Sequence, residues 1–105
     1  MKIKRAYEIL SGRTHCFAIV FDKNTNNDEV KELYTKAVEK NRDFAKPTRM
    51  APQSVNPDDR NCPILYFGDA VFSKQNDFLN TLKEHIDSNG INTVETALNK
   101  KWKKL

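Results

Sequence analysis

A chain of 105 residues accommodates one domain with a single modest core. Charged residues make up 30% and aromatic residues 10%, with only 3 Gly and 4 Pro, which excludes a collagen-like or low-complexity chain and argues against general disorder. Two cysteines are too few for a disulfide framework or a four-thiolate zinc site, no apolar run approaches the roughly 20 residues of a membrane span, and no secretory pattern follows the basic start, so a cytoplasmic protein off the membrane is expected.

Residues 3–10 admit two readings. Ile3, Ala6, Tyr7 and Leu10 fit a helical stripe that Gly12 would end. The same residues can form a strand that turns through Ser11, Gly12 and Arg13 onto the next apolar run. The strand is adopted, because two strands alone make a poor sheet.

Cys16 to Phe21 is a continuous apolar run closed by Asp22, and Ile64 to Phe67 is a second one closed by Gly68 and Asp69. These predict strands near 15–22 and 63–68. Continuous rather than alternating apolarity points to burial on both faces, as in a parallel sheet. Between them Val30, Leu33, Tyr34, Ala37 and Val38, extended by Asn41 and Phe44, predict a helix near 27–45, with Asn26 and Glu29 at capping-box spacing. Strand, helix, strand is the order of a βαβ unit. A second helix is predicted near 74–88, capped by Ser73, with Phe78, Leu79, Leu82 and Ile86 on its apolar face and Ser88, Asn89 and Gly90 as its stop. A third is predicted near 92–104, with Val94, Ala97, Leu98, Trp102 and Leu105 as its stripe. The fold expected is α/β: a small single domain, a short mixed or parallel sheet, three helices and a long proline-containing loop at 46–62.

The net charge of +4 is unevenly placed. Lys2, Lys4, Arg5 and Arg13 face only Glu8 in the first 14 residues, and Lys100, Lys101, Lys103 and Lys104 face only Glu95 in the last 14, so the middle is net acidic. Lys100, Lys103 and Lys104 point away from the stripe of the third helix and, with Lys2, Lys4 and Arg5, are candidate phosphate contacts. A solvated face favourable to the helix dipole is the plainer account of the same lysines. Lysine lacks the bidentate fork of arginine, so base-edge readout is not expected from this face. A helix-turn-helix centred on Gly90 puts Thr96 and Asn99 where apolar residues are required, and fits poorly. In the 46–62 loop, Arg49, Met50 and Arg60 are candidates for a partner-binding surface.

Catalytic motifs are sparse. Asp22 and Asp69 each end a strand; if those strands were parallel neighbours, both carboxylates would share one sheet edge and could hold Mg²⁺ for nuclease chemistry. Aspartate is also a common turn residue. His15 and Cys16 are strand neighbours pointing to opposite faces, which prevents them from acting together, and His85 could reach Cys16 only through the fold. Pro57-Asp58 resembles the opening of a restriction-type nuclease motif, but the acidic-x-Lys that should follow is absent. Ile64 to Ala70 resembles the strand-turn block of SGNH-type hydrolases, with Ala70 in place of the nucleophilic serine, so that chemistry is not available. No cofactor motif is present. The expectation is a small non-enzymatic binding module that takes nucleic acid through its basic terminal segments. The alternatives are a protein-binding inhibitor or regulator, and a metal-dependent nuclease using Asp22 and Asp69.

Overall fold

The computed structural model describes residues 1–11, 14–46 and 57–100. The elements in chain order are β1 (Ile3–Ser11), β2 (Thr14–Phe21), α1 (Asn27–Lys40), a 3₁₀ turn (Arg42–Phe44), a second 3₁₀ turn (Pro57–Asp59), β3 (Ile64–Gly68), α2 (Ala70–Ser73), α3 (Gln75–Leu82) and α4 (Ser88–Lys100). No helix among the described residues is long and apolar enough to cross a membrane.

Residues 3–10 are a strand. β1 pairs with β2 as an antiparallel hairpin, with Ala6 opposite Ile19 and Ser11 opposite Thr14. The α/β class is as expected, but the sheet is neither parallel nor mixed: β3 also lies antiparallel to β2, with Val20 opposite Ile64 and Cys16 opposite Gly68. The reason is the number of traverses. α1 carries the chain from the end of β2 to the far end of the sheet, where Ala45 O and Asp43 O lie against Gly68. The chain is back at the first end by Asp58, whose carbonyl accepts from Lys4 Nζ. Two traverses return β3 to the end where β2 finished, so it runs the opposite way.

Burial on both faces was nonetheless the right reading of the Cys16–Phe21 run: each of its residues is fully buried, because β2 is the central strand. One face carries Phe17, Ile19 and Phe21 into the main core with Val30, Leu33, Phe44, Phe67 and Phe78. Phe78 packs edge-on to Phe17, Phe44 and Phe67 at centroid distances of 6.2, 5.4 and 4.9 Å. The other face holds Ile9, Cys16 and Ala18, flanked by Tyr7, Ile64 and Tyr66.

The helix boundaries differ from the apolar stripes in three places. The predicted helix at 27–45 stops at Lys40, because Asn41 turns extended (φ −153°, ψ 116°) and its side chain accepts from Asp43 N to open the 3₁₀ turn that buries Phe44. The predicted helix at 74–88 runs only from Gln75 to Leu82, and a separate short helix, Ala70–Ser73, precedes it across a break at Lys74 (φ −121°, ψ 49°). Ser73 donates to Ala70 O rather than capping the second helix. The predicted helix at 92–104 opens at Ser88, so Ser88, Asn89 and Gly90 start a helix instead of stopping one. Asp87 Oδ1 accepts from Gly90 N at 2.8 Å, which supplies the N-terminal cap. A Cβ at Gly90 would run into Ile86 Cγ2, so the glycine marks a close approach. Trp102 and Leu105 lie outside the described residues.

Candidate nucleic-acid interface

The feature that organises this end of the molecule is an irregularity in β1. Ile3 is opposite Phe21 and Arg5 is opposite Val20, so Lys4 is an extra residue against β2. In a regular strand, neighbouring side chains point to opposite faces. The bulge removes that restriction. Lys4 Nζ and an Arg5 terminal guanidinium nitrogen reach the same oxygen, Asp59 Oδ1, at 3.1 and 3.2 Å. The Asp59 side chain is 1% exposed, while those of Lys4 and Arg5 are 34% and 38% exposed.

Asp59 is delivered by the Pro57–Asp59 turn, whose backbone is tied by Arg60 N to Pro57 O at 3.3 Å and Cys62 N to Asp59 O at 2.9 Å. Phe21 N then donates to Pro63 O, which joins this segment to the end of β2. On the other side, Asp22 Oδ1 accepts from Asn24 N at 3.0 Å and Asp22 O accepts from Thr25 N at 2.9 Å, a tight turn with Lys23 exposed on it. Between the two turns runs a shallow groove lined by Lys4, Lys23 and Arg60, by Asn24 and Asn61, and by Asp22 and Asp58. Lys2 lies beside it, its carbonyl accepting from Asp22 N at 3.1 Å.

Two groups that the sequence kept apart therefore meet here: Lys4 of the basic amino-terminal segment and Arg60 of the proline-bearing loop. Lys23 was not anticipated, because Asp22, Lys23 and Asn24 read only as a strand end. Asp59 was also missed, since no local pattern connects it to Lys4 and Arg5. Arg49 and Met50 of the loop, and Lys103 and Lys104 of the terminal segment, lie outside the described residues. Lys100 is the last residue of α4, a helix that starts beside Ile3. It is ten residues beyond Gly90, about 15 Å along the helix.

Asp22 and Asp69 are not brought together. Asp69 follows Gly68, which pairs with Cys16, whereas Asp22 follows Phe21 at the other end of β2. Seven strand residues separate the two levels, about 23 Å, so the pair cannot share a metal ion, and the nuclease reading loses its site. Among the described residues no group of three or more His, Cys, Asp or Glu side chains could hold a metal. The backbone carbonyl of His85 accepts from the Met1 ammonium, which places His85 at the Ile3 end, far from Cys16, so no Cys–His pair forms.

Asp69 instead shares a second shallow depression with His15, Asp43, Phe72 and Ser73. His15 Nε2 donates to Glu8 Oε2 at 2.6 Å, and its ring stacks on Phe72 at 4.6 Å and 9°. On the opposite face of the sheet, burial pushes the Cys16 thiol and the Tyr66 phenol up from their ordinary values. Burial does the same to Tyr7, helped by the nearby Tyr66 and by the negative charge of Asp59. These groups are protonated at neutral pH, so the thiol is a poor nucleophile.

No protein-family model matches the chain, and no curated protein or solved structure does so either.

Proposed function

We propose that the protein binds nucleic acid through the phosphate backbone, at the groove between the Asp22–Thr25 and Pro57–Cys62 turns. The observation that carries this reading is the convergence of Lys4, Lys23 and Arg60 on one groove, with Lys2 alongside. Three or four cations within reach of one strand release counterions on binding and give a salt-dependent affinity. Asn24 and Asn61 add side-chain amides able to donate to phosphate oxygens. Backbone contacts of this kind carry no base-edge readout, so the binding is sequence-tolerant. The test is fluorescence anisotropy of a labelled thymidine homopolymer strand over a salt series, with the native chain and a Lys2→Ala, Lys23→Ala, Arg60→Ala variant. The native chain binds with an affinity that falls as salt rises; the variant loses most of it. Equal binding by both chains removes the groove from the interface.

A second reading has its own observation. Asp22 and Asp58 line the same groove among the cations, and interleaved charge suits a protein surface of complementary pattern. This makes the protein a regulator or inhibitor of a protein partner. Capture of a partner from the native host that survives nuclease and high salt, together with no binding to the homopolymer, selects this reading over the first.

A further inference from the structure

The Lys4, Arg5 and Asp59 cluster lacks the bidentate geometry of the strongest salt bridges. The strongest pairs with arginine use both carboxylate oxygens against the guanidinium fork. Here both cations crowd onto Oδ1, and neither contact is aligned as a hydrogen bond. Among the described residues, Asp59 Oδ2 and Arg5 Nε are buried without a hydrogen-bond partner. The carboxylate has therefore lost its water and recovered only part of what it gave up, and such an ion cluster is a weak source of stability. The element that holds it is a three-residue turn, and each cation keeps about a third of its side-chain surface open to solvent.

A phosphodiester group supplies what Asp59 does not. One non-bridging oxygen can take Arg5 Nε, and the other can take the terminal guanidinium nitrogen together with Lys4 Nζ. We infer that Asp59 occupies the place of a backbone phosphate, masking Lys4 and Arg5 in the free protein until a bound polyanion displaces it. The inference rests on the phosphate-binding reading and adds its regulation: the groove has exposed contacts in Lys2, Lys23 and Arg60, and a reserve pair in Lys4 and Arg5 under an internal competitor. On displacement, the Asp59 carboxylate leaves both cations and Lys4 Nζ gives up its bond to Asp58 O, while the Arg60 N to Pro57 O and Cys62 N to Asp59 O bonds keep Arg60 on the groove.

The experiment is the same salt series with Asp59→Asn, whose fold is checked by thermal melting. Removing the competing charge tightens binding to the thymidine homopolymer several-fold at about 0.1 M salt. It also steepens the salt slope by about 0.7 to 1.4, the value of one to two further single-strand phosphate contacts. A folded Asp59→Asn chain with an unchanged or shallower slope overturns the inference. If Lys23→Ala still weakens binding in that case, the groove reading stands alone. If neither the native chain nor Asp59→Asn binds, both fall. Should Asp59→Asn fail to fold, Lys4→Gln decides: a slope lowered by about 0.7 shows that Lys4 is recruited in the complex. An unchanged slope shows that it stays locked on Asp59, which overturns the inference.

Discussion

The two ends of the sheet use charge in opposite ways. At the Gly68 end, His15 and Glu8 meet in one short contact, and the imidazole lies flat on Phe72. Phe72 packs edge-on to Phe17 at 5.7 Å, so this polar pair is continuous with the main core. At the Ile3 end, two cations share one oxygen of a buried carboxylate whose other oxygen is unpartnered among the described residues, and the surrounding surface is a groove of exposed charged side chains. A polar contact that is matched and backed by aromatic packing fixes an element in place. One that is mismatched and held by a short turn is available for exchange. The contrast teaches that the presence of an ion pair says little; its alignment and what stands behind it decide its use.

That contrast can be broken from the packed end first. Phe72→Ala removes a nearly buried ring that touches both His15 and Phe17, and truncations of this kind cost roughly 3–5 kcal/mol. Denaturant melts should show that loss, while polyanion affinity per folded molecule stays unchanged; a matching loss of affinity would mean that the ends are coupled. Gly68→Ala comes next. Its Cβ would lie 2.7 Å from Ala45 O and 2.8 Å from Asp43 O, both backbone atoms that cannot swing aside. Overpacking of this sort costs about 1–3 kcal/mol, and a variant as stable as the native chain would show that the contact is not close. Glu8→Gln keeps the shape but removes the charge from a pair whose partners are 24% and 16% exposed, with an expected loss of about 1 kcal/mol or less. The smallest effect on stability belongs to the groove. Lys23→Ala should leave melting within about 0.5 kcal/mol of native, yet lower the salt slope for a single strand by about 0.7. A change in melting without a change in slope would reverse the roles assigned to the two ends.

The apolar runs in the sequence locate β2 and β3 and the central burial of β2, whereas β1 carries a helical stripe and is reached only because two strands alone make a poor sheet. The runs do not show strand direction, which depends on how many times the chain crosses the domain between Phe21 and Ile64. The Asn41 break and the stop after Leu82 also escape a stripe analysis, because helical spacing continues through both, to Phe44 and to Ile86. Ser88, Asn89 and Gly90 mislead for a different reason: residues that end one helix are also residues that begin another, and only the Asp87 cap distinguishes the cases. Of the groove, Lys2, Lys4 and Arg60 were visible as isolated charges. Asp59 and Lys23 were not, since their value arises from a bulge in β1 and from two turns brought together by tertiary structure.

The order β1-β2-β3 also has a kinetic consequence. The β1–β2 hairpin joins neighbours in sequence and needs little chain closure, whereas β3 pairs only after the whole stretch from Asp22 to Pro63 has been brought round. The groove has one wall at each end of that stretch. Its assembly therefore coincides with the slowest loop closure in the sheet, and a partly folded chain with an intact hairpin and α1 has every cation of the site but no site.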